Sequence, residues 1–304
     1  MSYRELRAPV ALAGLVECCW IDTAKADGAH QVLPDGCMDL VWTGAELLVA
    51  GPDTVAKPGR RTRGVTVAGL RFLPGALPSL LDVPAAPLQD RRVPLLDLLP
   101  GQARAALVRL EQGEEPVAVL AALATHLPGA PPDRSVAALR RALAPAGVVR
   151  PAPPAASGLW ADPSPTRWAV PPAGASDRRS AMGAGRAASG TSAEHRAALV
   201  APDSGGSVAA IADLLGCTPR SVHRRCLAAF GYGPAVLRRV LRFRRAAALL
   251  RAGVSPAEVA AAAGYADQPH LSRETRALAG ASPGQLASAA NRSTPLPSGS
   301  STTA

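Results

Sequence analysis

The sequence predicts an α+β N-terminal domain, with a small β-sheet followed by helices, and an all-α C-terminal domain made of two similar helical units joined by a linker helix. Short apolar runs broken by turn formers predict the first domain, and an imperfect internal repeat predicts the second. A segment rich in proline, glycine and alanine separates them. We expect domains over residues 1–145 and 207–290, a flexible linker over 146–206, and a disordered tail over 291–304.

Four apolar runs predict the strands of the N-terminal sheet. These runs cover residues 16–21, 38–42, 46–50 and 64–68, with turns predicted at 34–36, 51–53 and 57–59. From about residue 75 the apolar spacing becomes helical, and helices are predicted over 102–111, 115–127 and 134–144. Three helices after a small sheet indicate an α+β domain.

Excess positive charge is concentrated in the C-terminal part. Residues 1–145 carry 15 basic and 15 acidic side chains, whereas residues 207–290 carry 11 arginines against 4 acidic residues, a net charge of +7. This distribution predicts a polyanionic partner at one end of the molecule. No CxxC pair occurs, and no apolar run approaches the ~18 residues of a membrane span. We therefore expect a cytoplasmic protein with reduced thiols and no membrane partner.

The internal repeat has the pattern of two helix-turn-helix units. Residues 211–216 correspond to 259–264 at an offset of 48. At an offset of 49, Val222, Arg224, Gly231 and Pro234 correspond to Leu271, Arg273, Gly280 and Pro283. In each copy a helix ends at a glycine, Gly216 or Gly264, where a turn requires positive φ. A second, capped helix follows each turn.

The second helix of each unit has an apolar face and a polar face. The apolar positions are Val222, Cys226 and Phe230 in the first copy, and Leu271, Thr275 and Leu278 in the second. The outward positions are Arg220, His223, Arg224 and Leu227, and then Gln268, His270 and Arg273. Two units in register with outward arginines predict binding to double-stranded DNA.

Residues 235–250 predict the linker helix between the units. Its predicted buried stripe is Val236, Val240, Phe243, Ala247 and Leu250, and its polar side carries Arg238, Arg239, Arg242 and Arg245. Sixteen residues span roughly 24 Å at a rise of 1.5 Å per residue. Together with the width of the units, this length suits adjacent major grooves, which lie roughly 34 Å apart.

These residues resemble the AraC/XylS-type transcriptional regulators. The resemblance covers about 207–287 and is carried by IADLLGCTPRSVHRR, FGYGPAVLRRVLRFRRAAALL and AAGYADQPHLSRETRALAGASPGQL. It implies base-reading positions at Arg220, His223 and Arg224 in the first unit and at Gln268, Pro269, His270 and Arg273 in the second. The segments LVECCWI, VLPDGCMDLVW and GLRFLPGAL resemble an uncharacterised sensor-like domain, which implies no particular ligand.

Departures from this family pattern predict a weaker second reading helix and a weaker attachment of the first unit. Cys226 and Thr275 stand where the family usually has a core phenylalanine, and Pro269 offers no side chain that can hydrogen-bond a base. We expect Arg224 and Arg273 to be the main readers of the major groove, ideally bidentate to guanine. Phosphate contacts are expected from Arg238, Arg239, Arg242 and Arg245.

The N-terminal domain leaves several functions open. An effector site at Trp20, Asp35 and Arg71 competes with a buried structural salt bridge at Arg71. A metal site at His30, Asp35, Cys37 and Asp39 and a reactive thiol at Cys18 or Cys19 are alternatives, although the spacing matches no zinc pattern. The rival function is thus a thiol- or metal-based sensor or enzyme domain fused to a DNA-binding module.

We expect a regulator that is not an enzyme and that uses no cofactor. No HExxH, GxSxG, Walker or Rossmann pattern occurs in the sequence. Double-stranded DNA is the expected partner, and a small-molecule effector and RNA polymerase are further candidates. Monomer and homodimer both remain open.

Overall fold

The computed structural model describes residues 3–145 and 207–291. The predicted linker and residues 292–304 of the predicted tail lie outside these residues. The N-terminal elements are β1 (Tyr3–Arg7), β2 (Val16–Thr23), β3 (Gly28–Val32), β4 (Met38–Trp42), β5 (Leu47–Ala50), β6 (Lys57–Arg61), β7 (Thr66–Phe72), α1 (Ala76–Leu81), β8 (Arg92–Pro94), α2 (Leu95–Leu98), α3 (Pro100–Glu111), α4 (Pro116–Thr125) and α5 (Arg134–Leu143). The C-terminal elements are α6 (Val208–Leu214), α7 (Pro219–Phe230), α8 (Pro234–Arg251), α9 (Pro256–Ala262), α10 (Gln268–Ala279) and α11 (Pro283–Asn291).

The N-terminal strands form a six-stranded antiparallel sheet in the order β1-β2-β7-β4-β5-β8. Side chains alternate between the two faces of a strand, so one face can be apolar while the other is polar. Leu40 on β4 and Leu70 and Phe72 on β7 are fully buried in the core that α4 helps to cover. Arg71 and Asp39, which lie opposite each other on β7 and β4, occupy the other face. The predicted α+β fold is confirmed.

Strands β3 and β6 form a separate two-stranded sheet, and they correct one prediction. Residues 57–59 were expected to form a turn because they include Pro58 and Gly59, yet they lie in β6. Both strands of a two-stranded sheet are edges, so the missing N–H of proline is tolerated there. Gly59 accommodates the His30 ring, since a Cβ at Gly59 would lie 2.4 Å from His30 Nε2.

The C-terminal part is helical throughout its described residues, as predicted. The linker helix α8 begins at Pro234 and is slightly longer than expected. Val240, Phe243, Ala247 and Leu250 are buried, but Val236 is 36% exposed and was wrongly placed on the buried face. Its neighbour Leu237, which is fully buried, takes that place because the helix packs on both units and on α5.

Helix α5 packs against the first helix-turn-helix unit. Its buried residues Leu139 and Leu143 belong to one apolar cluster with Ile211 of α6 and Val222 and Phe230 of α7. A second cluster unites the C-terminal half of α8 with α9, α10 and α11. The linker helix therefore contributes to the cores of both units.

Candidate DNA interface

The first helix-turn-helix unit consists of α6, a tight turn and α7. The backbone N–H of Ala210 donates to Ser207 Oγ at 3.1 Å, which caps α6. Gly216 has φ +60° in the turn, the region that glycine adopts without steric cost. Thr218 Oγ1 accepts from the N–H of Ser221 at 3.2 Å, and this bond fixes the start of α7.

The second unit repeats this arrangement in α9, its turn and α10. Ser255 and Glu258 form the predicted capping box at the start of α9. Gly264 has φ +75° in the turn. Asp267 Oδ1 accepts from the N–H of His270 at 2.6 Å, so a carboxylate caps α10 where a hydroxyl caps α7. Negative charge is favourable at a helix N-terminus.

Helices α7 and α10 bury the predicted residues. Val222, Cys226 and Phe230 are buried in the first unit, and Leu271, Thr275 and Leu278 are buried in the second. The hydroxyl of Thr275 donates to the carbonyl of Leu271 at 2.7 Å, so the polar atom has a partner inside the core. Because these residues are buried, the opposite face of each helix lies at the protein surface.

The opposite faces carry the predicted base-reading residues. Arg220, His223 and Arg224 are exposed on α7, and Gln268, Pro269 and Arg273 are exposed on α10. His270 is half-buried, because its ring meets Tyr265 edge-on at 5.2 Å. The His223 ring lies over Gly233, where a Cβ would come within 2.8 Å of Nε2. Each imidazole is thus packed against its own unit, while the arginines project freely from the surface.

Two family models match this chain. Residues 211–289 match a helix-turn-helix domain, and residues 4–94 match a domain of unknown function (DUF6597). The C-terminal domain is an AraC-type DNA-binding domain. The protein is accordingly a DNA-binding transcription regulator. Neither the curated proteins nor the solved structures contain a match to this chain. No helix in the two described stretches is long and apolar enough to span a membrane.

Among the four predicted phosphate-binding arginines, Arg239 and Arg242 contact the second unit. Arg239 on α8 forms a bidentate ion pair with Glu274 on α10, with Nε 2.7 Å from Oε2 and Nη2 3.1 Å from Oε1. The guanidinium of Arg242 lies 4.7 Å from the centre of the Tyr265 ring, a cation–π contact. Both contacts tie the linker helix to the second unit. The other two, Arg238 and Arg245, are half-buried on the same helix.

The predicted effector residues of the N-terminal domain meet in one buried cluster. The Trp20 indole lies across Gly69, where a Cβ would come within 2.4 Å of the ring, and its Nε1 donates to Asp39 Oδ2 at 3.0 Å. Arg71 is 3% exposed and lies 3.5 Å from carboxylate oxygens of both Asp35 and Asp39. These ion pairs support the structural interpretation of Arg71.

Burial and charge act against each other in this cluster. Burial raises the pKa of Asp39 to about 6, and Asp35 adds to the rise, while Arg71 and the indole N–H of Trp20 oppose it. Burial lowers the pKa of Arg71, but the carboxylates of Asp39 and Asp35 outweigh burial and raise it. The guanidinium therefore remains charged inside the protein.

The thiol and metal alternatives find little support in the described geometry. Burial raises the pKa of Cys19 to about 11 and raises those of Cys18 and Cys37 as well, which disfavours the thiolate that a reactive cysteine requires. His30 packs on Gly59 in the two-stranded sheet. Within residues 3–145 and 207–291, no group of three or more His, Cys, Asp or Glu side chains could hold a metal ion.

A contact between the linker helix and the N-terminal domain was not predicted from the sequence. Arg244 Nη2 donates to Glu17 Oε1 on β2, and Arg244 Nη1 lies 3.4 Å from Cys37 Sγ. Arg244 follows Val240 by four residues and Leu241 by three, so it lies on the buried side of α8. An arginine on an otherwise apolar stripe was the available signal, because such a residue requires a buried partner.

Proposed function

We propose that the protein binds double-stranded DNA in a sequence-specific manner, with α7 and α10 as recognition helices in two adjacent major grooves. The observation that carries this proposal is the equivalent exposure of Arg224 and Arg273 at corresponding positions of the two units. Arginine can donate two hydrogen bonds to the O6 and N7 acceptors of guanine. The other predicted readers, Arg220, His223, Gln268, Pro269 and His270, flank these two arginines.

Phosphate contacts fix such a domain on the duplex without reading its sequence. We assign this role to Arg238 and Arg245, whose half-buried side chains lie on the polar side of α8. Arg239 and Arg242 instead brace the second unit through Glu274 and Tyr265. The proposal thus divides the four linker-helix arginines into two pairs with different roles.

Sequencing of genomic fragments that the purified full-length protein retains would identify the site. Footprinting on that site should protect two major-groove segments on one face of the DNA, about one helical turn apart. Methylation of guanine N7 within both segments should interfere with binding. The Arg104→Ala variant is a suitable control, because Arg104 is exposed on α3 in the N-terminal domain. Protection of a single segment would contradict the proposal.

The proposal extends to effector control through the cluster of Trp20, Asp35 and Arg71. Asp35 supports this link: its carboxylate pairs with Arg71, and its backbone carbonyl accepts from Arg244 Nη1 of the linker helix at 3.5 Å. A ligand that displaced Asp35 would therefore disturb a contact to the DNA-binding domain. RNA polymerase is a further proposed partner, as expected of a transcription regulator.

Small-molecule fractions of a cell extract can be tested for their effect on DNA affinity. An active fraction should change the affinity of the natural chain but have less effect on Trp20→Phe, which keeps a ring but lacks the N–H that binds Asp39. Equal responses of both proteins would place the effector site elsewhere.

A further inference from the structure

The N-terminal domain contacts the first helix-turn-helix unit at the end of its recognition helix. The backbone N–H of Ala85 donates to the carbonyl of Ala228 on α7 at 2.7 Å. Gly231, which ends α7 with φ +83°, lies so close to the N-terminal domain that a Cβ there would be 2.6 Å from Pro52 Cγ. The hydrogen bond and the close approach of Pro52 to Gly231 leave little room for α7 to shift.

A second contact holds the middle of the linker helix. The Arg244 guanidinium reaches Glu17 and Cys37, and the Cys37 thiol itself donates to Glu17 Oε2 at 3.3 Å. Burial raises the pKa of Glu17, but Arg244, Arg71 and the Cys37 hydrogen bond outweigh burial and lower it. Glu17 is thus a charged, half-buried carboxylate whose principal partner belongs to the DNA-binding domain.

A third contact reaches the second unit. The backbone N–H of Ala56 donates to the carbonyl of Leu278 on the recognition helix α10 at 2.7 Å. Leu33, just after β3, is buried in the same apolar cluster as Phe243 and Leu271. The N-terminal domain therefore touches α7, α8 and α10 at three separate places.

We propose that the N-terminal domain sets the number of base pairs between the two half-sites, and that Glu17 is the positioning residue that holds the linker helix for this purpose. The inference rests on the proposed reading of two adjacent grooves. Adding one base pair between half-sites moves the second groove by 3.4 Å and rotates it by about 34°. Recognition helices fixed by three contacts cannot follow such a change, whereas helices joined by α8 alone can adapt by bending or local repacking.

The test measures affinity of the full-length protein for a set of duplexes. The selected site is altered by inserting or deleting one or two base pairs between its half-sites. The natural chain should prefer one spacing strongly. Glu17→Gln keeps the shape of the side chain but removes the charge that Arg244 meets, so the preference should weaken by about fivefold, within the usual range of coupling between sites. Glu114→Gln is the matched control, since Glu114 forms an exposed ion pair with Arg109 on α3.

A purely structural role of Glu17 would lower the fraction of active protein and reduce binding to all spacings equally. If Glu17→Gln fails to fold, Ala85→Pro provides an independent variant, because φ of Ala85 is −70° and suits proline while its N–H is lost. If the natural chain shows a strong preference for one spacing that neither variant weakens, this inference is wrong, but the proposed reading of two adjacent grooves stands. No preference in the natural chain would overturn the reading of two fixed grooves and this inference with it.

Discussion

The Arg239→Gln variant tests whether this arginine braces the second unit or contacts phosphate. In the structure its guanidinium forms two hydrogen bonds with Glu274, at 2.7 and 3.1 Å. Each phosphate contact contributes about −0.9 to the slope of log affinity against log salt. Loss of one contact thus reduces the fall in affinity between about 50 and 200 mM salt by roughly 3.5-fold. Because Arg239 is already paired, we expect no change of slope.

The assay is a fluorescence-anisotropy titration of the selected duplex at several salt concentrations. Arg245→Gln is the comparison, because Arg245 lies on the same helix and we assign it to phosphate; its slope should fall in magnitude by about 0.9. A slope change of that size for Arg239→Gln would show that Arg239 leaves Glu274 and binds the DNA backbone. Equal, unchanged slopes for both variants would refute the division of the four arginines into two pairs.

Three further predictions concern base reading, packing and pH. Arg224→Ala and Arg273→Ala should each weaken binding to the selected site by about 1–3 kcal/mol and relax the preference for particular bases, with the larger loss for Arg224. If a binding-selection assay shows a uniform loss of affinity for all sequences, these arginines contact phosphates instead. Leu139→Ala should destabilise the protein by about 2–5 kcal/mol in denaturant titration, since Leu139 is fully buried, whereas the exposed Val108→Ala should stay within about 0.5 kcal/mol. Asp39 has a folded pKa of about 6 against an ordinary value of 3.8, so the folded state binds more protons between these values and its stability falls as pH rises through them. Relative to Asp39→Asn, the natural chain should lose about 3 kcal/mol between pH 4 and 7, and a constant difference would contradict this assignment.

The C-terminal helices could be predicted because their determinants are local. Caps such as Ser255 and turn glycines such as Gly264 act within a few residues, and the repeat presents the same pattern twice. Strand β6 could not be predicted in this way, because Pro58 and Gly59 favour a turn in isolation. Their conformation is set by pairing with β3, which lies about thirty residues earlier in the chain.

The candidate site was predicted in part for the same reason. The exposed faces of the recognition helices follow from helical periodicity, so Arg224 and Arg273 could be named from the sequence. Arg239 and Glu274 are 35 residues apart in the sequence, and their ion pair joins two helices. Arg244 and Glu17 are 227 residues apart, and their ion pair joins the two domains. Helical periodicity places Arg244 on the buried side of α8, but it identifies the partner of neither arginine, since each pairing depends on how helices and sheet dock.

The apolar core of the first unit includes residues of helix α5, which lie outside the internal repeat. Leu139 and Leu143 are buried against Val222 and Phe230, although they precede the predicted linker in the chain. Burial of a leucine side chain contributes roughly 1.5–3 kcal/mol, so a fragment beginning at residue 207 would expose apolar surface on α7 that two leucines normally cover. The carbonyl of Pro74 also lies 3.5 Å from Arg140 Nη1, so α5 contacts the rest of the N-terminal domain as well. The recognition helix α7 is therefore held on one side by its own unit and on the other by a helix of the N-terminal domain.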